Sequence, residues 1–364
     1  MNILQIVSSS RTSGAERHIV ILSEELQRLG HNVLAICPPG GWLPEQLQLA
    51  NVPMVELPMH GPKALGSLLA IRHLARRHHA DVIHTHLTRA TYMGYLSTLF
   101  TSIPIISTVH ILTRDRAYRM LPGGRHCLIA VSNHVRNSLL ARGAPADRVV
   151  TIYNGTDFIG YPAGQSLLSV RAEFGLPADA ELTGAFGRID DFKGQELLVR
   201  AAGKIVAKRP RAYFIFVGKA EPDRQQRLWE LAQADGVADR LRFTGIRNDV
   251  PRLMAEIDVL ALPSRTEACS MVTIEAMALG RAVIATNAGG NPELILDNET
   301  GMLIERSPDA IADAVIKILS NPELRHRMEI AGKQRANELF SAGVMARHVE
   351  RLYRRCAGLP AAGG

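Results

Sequence analysis

Hydrophobic residues along this chain form two patterns: short continuous runs, and longer stretches in which apolar positions recur every three or four residues. The short runs are typical of buried parallel strands, and the longer stretches are typical of amphipathic helices. The two patterns alternate from one end of the chain to the other, which predicts parallel α/β architecture. The predicted strands are 3–7, 32–36, 52–56, 82–85, 105–108, 128–131, 149–152, 182–186, 213–217, 241–244, 259–262 and 282–285.

Helical periodicity is clear at residues 15–29, where Ile19 and Leu22 share one face and Gly30 follows as a C-terminal stop. Further helices are predicted at residues 63–79, 132–142 and, near the end of the chain, 341–355. Three residues precede a proline and then an acidic residue, and are therefore predicted to cap helix N-termini: Asn291, Ser307 and Asn321.

The length of 364 residues, of which 46% are hydrophobic, predicts two domains, each with its own core. Strand and helix patterns lapse at residues 157–169, which we interpret as the linker between them. The expected domains are a Rossmann-like N-terminal domain, 1–160, and a Rossmann-like C-terminal domain, 161–340. The segment 341–364 is expected to form a helix that packs back on the N-terminal domain, followed by a frayed tail.

Composition excludes several classes of protein. No apolar run approaches the ~18 residues that span a bilayer, and the N-terminal run is too short for a signal peptide, which indicates a cytoplasmic protein. The net charge of +7 permits anionic partners, but only 5% of residues are aromatic, which disfavours nucleic acid. Four cysteines far apart in sequence are predicted to be separate thiols: Cys37, Cys127, Cys269 and Cys356.

Two strand-to-helix loops are candidates for binding phosphate, because parallel sheets bind ligands at the C-terminal ends of their strands. In the first loop, 8–17, Gly14 would let a phosphate approach helix N–H groups, although an ordinary helix start has the same appearance. In the second, 187–194, glycines flank Arg188 and Lys193. Two cations at this spacing suit a diphosphate, and the alternative is a surface loop with unrelated charges.

A third candidate is the pair Glu267 and Glu275, which lie eight positions apart. The first falls in a loop after the predicted strand 259–262, and the second falls in a helix that begins near Met271. Both acids can face one crevice, with the N–H groups of residues 269–272 between them. By spacing alone, a solvated acid beside a helix-start acid explains the pair equally well.

The run from Glu267 to Glu293, E-A-C-S-M-V-T-I-E-A-M-A-L-G-R-A-V-I-A-T-N-A-G-G-N-P-E, resembles the E-x7-E motif of the retaining family-4 glycosyltransferases of the GT-B fold. Four other segments also resemble blocks of this family: S-G-A-E-R-H, A-V-S-N-H-V, I-Y-N-G-T-D and G-R-I-D-D-F-K-G. The blocks occur in the family's order and cover nearly the whole chain.

The resemblance implies a GT-B fold, in which two Rossmann-like, doubly wound domains face each other across a cleft. It also implies retaining transfer of a hexosyl group from a UDP- or GDP-sugar to a hydroxyl of a glycan or lipid-linked acceptor. Lipopolysaccharide or cell-envelope polysaccharide synthesis is the expected context. Such families need no metal ion or other cofactor, and this sequence has neither a D-x-D motif nor a His/Asp cluster spaced for one.

The resemblance also implies roles for individual residues. Arg188 and Lys193 would bind the donor diphosphate, Glu275 the ribose hydroxyls and Glu267 the transferred sugar. The implied catalytic residues are His110, Arg188, Lys193 and Glu267. The implied donor-binding residues are Gly14, Arg247, Ser270, Met271, Val272 and Glu275, with Arg247 bordering the base. Cys269-Ser270 stand where the family usually has Phe-Gly, at positions that present backbone amides to the sugar.

The predicted helix 63–79 combines leucines with a run of arginines and histidines, and the segment 114–125 is also rich in arginine. Either could rest on the inner face of an anionic membrane, although an ordinary solvated helix and a charged loop fit the pattern as well. Three other functions remain open: a nucleotide-sugar epimerase or hydrolase of the same fold, a non-catalytic nucleotide-binding protein, and a basic nucleic-acid binder.

Overall fold

A computed structural model describes residues 1–111, 118, 126–158 and 169–360. The chain divides into two compact units. Unit 1 comprises Met1–Asp157 together with Leu339–Gly364, and unit 2 comprises Phe158–Glu338. Most of the arginine-rich segment 114–125 and of the predicted linker 157–169 lies outside the described residues.

Unit 1 is built on a seven-stranded parallel sheet with the order β3-β2-β1-β4-β5-β6-β7. Its strands are β1 (Asn2–Val7), β2 (Asn32–Cys37), β3 (Met54–Glu56), β4 (Val82–His86), β5 (Ile105–Val109), β6 (His126–Ala130) and β7 (Val149–Thr151). Its described helices are α1 (Gly14–Arg28), α2 (Trp42–Leu49), α3 (Ala64–Arg77), α4 (Thr88–Ser97), α5 (Asn133–Ala141) and the C-terminal α14 (Ala342–Ala357), with a 3-10 turn at Ala146–Arg148.

Unit 2 contains a six-stranded parallel sheet with the order β10-β9-β8-β11-β12-β13. Its strands are β8 (Glu181–Phe186), β9 (Ala212–Val217), β10 (Leu241–Gly245), β11 (Val259–Leu262), β12 (Ala282–Thr286) and β13 (Met302–Ile304). The helices are α6 (Val170–Glu173), α7 (Gln195–Lys208), α8 (Pro222–Ala234), α9 (Val250–Glu256), α10 (Met271–Ala278), α11 (Asn291–Leu294), α12 (Pro308–Ser320) and α13 (Pro322–Leu339), with a 3-10 turn at Ala238–Arg240.

Each predicted strand is confirmed by a strand at the same place in the chain. The pattern was a good guide because parallel strands that are covered on both faces need continuous apolar runs. Strand β13 and helices α2, α4, α6, α8 and α9 were not predicted individually. The caps at Ser307 and Asn321 are confirmed, since their side-chain oxygens accept hydrogen bonds from Ala310 N at 3.1 Å and Leu324 N at 2.9 Å. The cap at Asn291 is wrong: Gly290 precedes the helix, and Asn291 Nδ2 donates to the carbonyl of Thr286.

The prediction of four separate thiols is confirmed, because all four cysteines are free, but two of them lie in contact. Cys127 on β6 and Cys356 on α14 are far apart in sequence, but their Sγ atoms lie 3.3 Å apart. The thiol of Cys356 donates to the sulfur of Cys127, and this bond, helped by Arg148, lowers the pKa of Cys127 below its usual value. The contact follows from the return of the C-terminal helix to unit 1, which cysteine spacing does not encode.

Polar contacts bind α14 to the sheet of unit 1. The buried hydroxyl of Tyr353 lies 2.5 Å from Nδ1 of His84 on β4, and Glu350 lies 3.2 Å from Nε2 of His31. Thr156 forms a parallel bridge with Ser341, just before the helix begins. No helix in the described part of the chain is both long and apolar enough to cross a bilayer.

Gly155 lies beside that bridge and allows the close approach of α14. A Cβ atom at Gly155 would lie 2.7 Å from the carbonyl oxygen of Ser341 and 2.9 Å from Cα of Ala342. These are backbone atoms that cannot turn away. We therefore expect Gly155→Val to lower the free energy of unfolding by about 1–3 kcal/mol, the cost of overpacking. Urea unfolding followed by circular dichroism measures this change.

Gly66 is the matched control, because it lies in helix α3 and no other atom lies within 4 Å of the position that its Cβ would occupy. Gly66→Ala should leave stability unchanged or raise it by about 0.5–1 kcal/mol, since alanine restricts the unfolded chain more than glycine does. Equal effects of the two substitutions would contradict the packing role of Gly155.

Candidate functional site

The strand order of unit 2 reverses between β8 and β11, which pair through Val259 and Thr183. From β8 the chain continues outward to β9 on one side, while β12 follows β11 on the other. Loops that leave two such strands diverge, and the crevice between them is the usual ligand site of open α/β sheets. The loops at this point are 187–194, after β8, and 263–270, after β11.

The loop after β8 is shaped by glycines and by one aspartate. Gly194 has a φ of +74°, and a Cβ there would lie 2.3 Å from the carbonyl oxygen of Pro263 in the other loop. Asp190 accepts hydrogen bonds from the backbone N–H of Lys193 at 2.8 Å and from Nε of Arg188 at 2.6 Å. The loop is thus packed against its neighbour and holds both cations on a fixed backbone.

The two loops are joined by a side-chain ion pair. Nζ of Lys193 donates to Oε1 of Glu267 at 2.7 Å, and the two side chains are only 24% and 11% exposed. The backbone N–H of Arg265 also donates to the carbonyl of Phe192 at 2.7 Å. An ion pair shielded from water is screened less than a surface pair, so it holds the ammonium group in one place.

The backbone of Glu267 is held by two glycines in the loop after β12. Gly290 N donates to the carbonyl oxygen of Glu267 at 2.7 Å. Gly289 has a φ of +63°, and a Cβ there would lie 2.2 Å from the same oxygen. The sequence contains these glycines within the run that resembles the family motif, but sequence reasoning assigned them no role.

Helix α10 begins at the end of the same loop. Ser270 caps it, because its Oγ accepts from the N–H of Thr273 at 3.2 Å. The φ of Ser270 is −70°, a conformation that any residue adopts, so serine in place of glycine causes no backbone strain here. Met271 and Val272 form the first turn, whose N–H groups and dipole favour an anion. Glu275 follows in this helix and is 3% exposed.

Two other predicted site residues, Arg188 and Arg247, take no part in the contact between Lys193 and Glu267. The side chain of Arg188 is 73% exposed and is held through Nε by Asp190. The guanidinium of Arg247 donates to Asp249 at 2.8 Å and to Glu173 at 2.9 Å. Hydrogen bonds from Arg247 and Arg252 hold the pKa of Asp249 well below its usual value. The guanidinium of Arg247 therefore already binds two carboxylates, whereas the side chain of Arg188 extends from the loop into solvent.

The remaining predicted residues, Gly14 and His110, belong to unit 1, whose strand order reverses between β1 and β4. Gly14 is the first residue of α1, and Ser13 caps this helix. His110 follows the last residue of β5 and is 9% exposed. Its Nε2 lies 3.2 Å from Nδ1 of His86, the last residue of β4.

Sequence reasoning missed the histidines around His110. His18, on α1, has its ring 4.8 Å from that of His110, and the ring of His84 lies 4.1 Å from that of His86. Burial lowers the pKa of His18 to about 4, and it lowers those of the other three well below the usual value. The sequence contains two indications of this grouping. His84 and His86 are two residues apart in a strand, so they face the same side of the sheet, and His18 lies one helical turn before Leu22, on the same face of its helix.

Two family descriptions together match most of the chain. A family described as "Glycosyltransferase Family 4" matches residues 12–158, and one described as "Glycosyl transferases group 1" matches residues 169–335. The chain belongs to the family-4 glycosyltransferases. It is therefore an enzyme of the glycosyltransferase class, as the resemblance of its motifs predicts.

Individual relatives of this glycosyltransferase extend over the whole chain. A D-inositol 3-phosphate glycosyltransferase of Corynebacterium diphtheriae is 26% identical, over 99% of this chain and 93% of that protein. A glycosyltransferase of Rickettsia africae has a TM-score of 0.88 at 24% identity, covering 97% of this chain and 98% of the other. HepE of Anabaena, solved with UDP, has a TM-score of 0.87 at 23% identity, covering 98% and 100%. The predicted GT-B fold is confirmed.

The glycines behind Glu267 give a test of the loop geometry. We expect Gly289→Val to push the Glu267 backbone out of place and to reduce glycosyl transfer strongly, because the new side chain would collide with backbone atoms 2.2–2.7 Å away. Initial-rate assays of transfer, with a thermal melt to confirm folding, measure the effect.

Gly236→Val is the control for backbone strain alone. Gly236 has a φ of +67°, close to the +63° of Gly289, but nothing lies within 4 Å of its Cβ position. Both variants carry the cost of a positive φ, about 1–3 kcal/mol. If they retain equal transfer rates, the collision with Glu267 has no functional importance.

Proposed function

We propose that this enzyme is a retaining hexosyltransferase that uses a nucleotide-diphosphate sugar and a glycan or lipid-linked acceptor. The observation that carries the proposal is the 2.7 Å contact between Lys193 and Glu267, residues 74 positions apart, at the strand reversal of unit 2. A cation suited to a diphosphate thereby lies in contact with a carboxylate suited to sugar hydroxyls.

In this proposal unit 2 binds the donor. Lys193 and Arg188 bind the diphosphate, together with the N–H groups of Met271 and Val272 at the start of α10. Glu275, a buried carboxylate on the same helix, accepts hydrogen bonds from the ribose hydroxyls. Gly14, at the start of α1, contributes a backbone N–H to the phosphates. HepE of Anabaena was solved with UDP-glucose, so UDP-sugars are the first donors to test, followed by GDP-sugars.

The remaining assignments concern the base and the sugar. Arg247 borders the base, and the backbone N–H of Ser270 faces the sugar hydroxyls, since its Oγ is already engaged in the helix cap. His110 contacts the transferred sugar, and Glu267 lies beside its reacting face. Burial keeps the pKa of His110 well below the usual value, so its imidazole is neutral at physiological pH and can both donate and accept.

The mechanism follows from the charges that develop during transfer. When the bond from the anomeric carbon to the diphosphate breaks, negative charge collects on the diphosphate and positive charge on the sugar ring. Fixed cations and a helix N-terminus stabilise the leaving group without reorganisation. The acceptor hydroxyl attacks from the side of the leaving group, a new carbon–oxygen bond forms, and a diphosphate oxygen takes the proton. Configuration is thereby retained, and no metal ion is needed.

Substitution of the cations tests this proposal. We expect Lys193→Ala and Arg188→Ala each to lower kcat by roughly 10²–10³, the scale for removal of one group that stabilises a developing oxyanion. Folding should hardly change, because Arg188 is exposed and Lys193 is partly so. Steady-state transfer from UDP-glucose or the best donor of a nucleotide-sugar panel provides the measurement.

Lys208→Ala, in the last turn of α7 and away from the loop, is the matched control and should keep the wild-type kcat. Transfer at a near wild-type rate by the Lys193 variant would refute the diphosphate assignment. Donor turnover that does not depend on any acceptor would favour the alternative, a nucleotide-sugar epimerase or hydrolase. Donor binding without turnover would favour a non-catalytic nucleotide-binding protein.

Helix α3 supports an acceptor at a membrane surface. Leu65 and Leu69, one turn apart on α3, are 71% and 72% exposed, and Phe100, just after α4, is 96% exposed. The same helix carries Arg76 and Arg77 in its last turn. Exposed apolar side chains beside cations are typical of a surface that rests on anionic lipid. We therefore place the enzyme in the cytoplasm, in contact with the inner face of the cytoplasmic membrane, where it extends lipopolysaccharide or another envelope glycan.

Liposome flotation tests the membrane contact. The enzyme should float with vesicles that contain anionic lipid, and Leu65→Ser with Leu69→Ser should weaken this association about tenfold or more, since each buried CH₂ contributes about 0.8 kcal/mol. Leu49→Ser is the control, because Leu49 is equally exposed, at 75%, but lies on α2. Absence of association with anionic vesicles would indicate a soluble acceptor.

A further inference from the structure

Two cysteines of unit 1 lie in contact although 229 positions separate them in sequence. Cys127 is the second residue of β6, and Cys356 lies in the last turn of α14. Their Sγ atoms are 3.3 Å apart, and both thiols are free. A disulfide needs a separation of about 2.0 Å, so the sulfur atoms would have to approach each other by about 1.3 Å. Rotation about the side-chain bonds of two cysteines covers such a distance.

The surroundings of Cys127 favour its thiolate. The S–H of Cys356 donates to its sulfur, Arg148 donates a further hydrogen bond, and the positive charge of Arg355 lies nearby. These groups lower the pKa of Cys127, while the same contact raises that of Cys356. Arg148 also pairs with Asp147 at 3.2 Å, but that carboxylate is 74% exposed and therefore well screened by water. Cys127 is thus the nucleophile of the pair, since the thiolate is the reactive form.

Cys37 shows the contrast within the same unit. It ends β2 and is completely buried, and burial together with Glu56 raises its pKa to about 12. A thiol of this kind stays protonated and reacts slowly with oxidants. Cys127 differs in having cationic neighbours, a second thiol in contact and a side chain that is 6% exposed. Its partner Cys356 is half-buried, so a small oxidant can reach the pair.

We propose that Cys127 and Cys356 are a site of reversible oxidation, at which hydrogen peroxide converts the two thiols into a disulfide. The thiolate of Cys127 first attacks one oxygen of the peroxide. The O–O bond breaks, a sulfenic acid forms, and the leaving hydroxide takes a proton to become water. Sγ of Cys356 then attacks the sulfur of the sulfenic acid. The S–S bond forms, and the hydroxyl group leaves with the proton of Cys356 as a second water molecule.

The disulfide would link the C-terminal helix covalently to the sheet of unit 1. Helix α14 is already held there by the contacts of Tyr353 with His84 and of Glu350 with His31. The new bond closes a loop of chain that includes all of unit 2, residues 158–338. A cross-link that closes a long loop restricts the unfolded chain, so the oxidised protein should resist urea better than the reduced protein. The proposal uses no residue of the donor site, and its failure would leave the proposed transfer reaction unaffected.

Treatment of the full chain with hydrogen peroxide tests the proposal. Under denaturing conditions the reduced chain should show four reactive thiols, and the oxidised chain should show two fewer. The intact mass should fall by that of two hydrogen atoms, and peptide mapping should find Cys127 joined to Cys356. Dithiothreitol should restore all four thiols. Peroxide that leaves the four thiols in place, or that joins either cysteine to a different one, would overturn the assignment.

Two variants identify the role of each cysteine. In Cys356→Ser the partner is missing, so peroxide should leave Cys127 as a sulfenic acid, which dimedone traps and mass spectrometry detects. Cys37→Ala is the matched control and should still lose two thiols, as the wild-type chain does. Thermal melts of the reduced variants establish that they fold, and the wild-type result needs no variant. Absence of the dimedone adduct at Cys127 in folded Cys356→Ser would contradict the proposed order of steps.

Urea unfolding, followed by circular dichroism, tests the consequence for helix α14. The midpoint of the wild-type chain should rise on oxidation and return after dithiothreitol, whereas that of Cys356→Ser should stay unchanged throughout. Equal midpoints for the reduced and the disulfide-linked wild-type chain would show that the bond does not secure the helix.

Discussion

The reversal of strand order in each parallel sheet is the constraint on which the rest of this structure depends. Strands β8 and β11 lie side by side, although β9 and β10 come between them along the chain. Their loops leave at the same edge, and Lys193 therefore meets Glu267. The same reversal between β1 and β4 in unit 1 gathers His18, His86 and His110. The candidate site residues thus lie where the topology leaves a crevice at the edge of the sheet.

Glycines set the positions of the functional loops as much as the charged residues do. Gly194 lets the loop after β8 pass the carbonyl of Pro263, and Gly289 lets the loop after β12 pass that of Glu267. Arg306 adds a further tie, because its guanidinium donates to the carbonyls of Pro263 and Asp191 at 3.2 and 3.1 Å. Backbone contacts between the loops, as well as the opposite charges of the two side chains, therefore hold Lys193 and Glu267 in position.

The sheet of unit 1 contains an unusual number of buried polar side chains. Parallel strands are normally apolar on both faces, yet β4 and β5 bury His84, Thr85 and Ser107 completely. These groups have hydrogen-bond partners: Thr85 Oγ1 lies 2.5 Å from Ser107 Oγ, which in turn lies 2.8 Å from Nε2 of His126, and His84 contacts Tyr353 Oη and Thr108 Oγ1. A satisfied network of this kind specifies one arrangement of the strands, since any slip in register would leave buried polar atoms unpaired.

The sequence by itself determined the alternation of strands and helices, the division into two sheets of Rossmann type, the loops that carry Lys193 and Glu267, and the helix that carries Glu275. Local apolar periodicity and short motifs contain this information, because strand burial and helix capping depend on neighbouring residues. Only the tertiary structure decided the contact of Lys193 with Glu267, the histidine cluster and the approach of Cys356 to Cys127. These contacts join segments that meet through strand order and chain return, which no local pattern encodes.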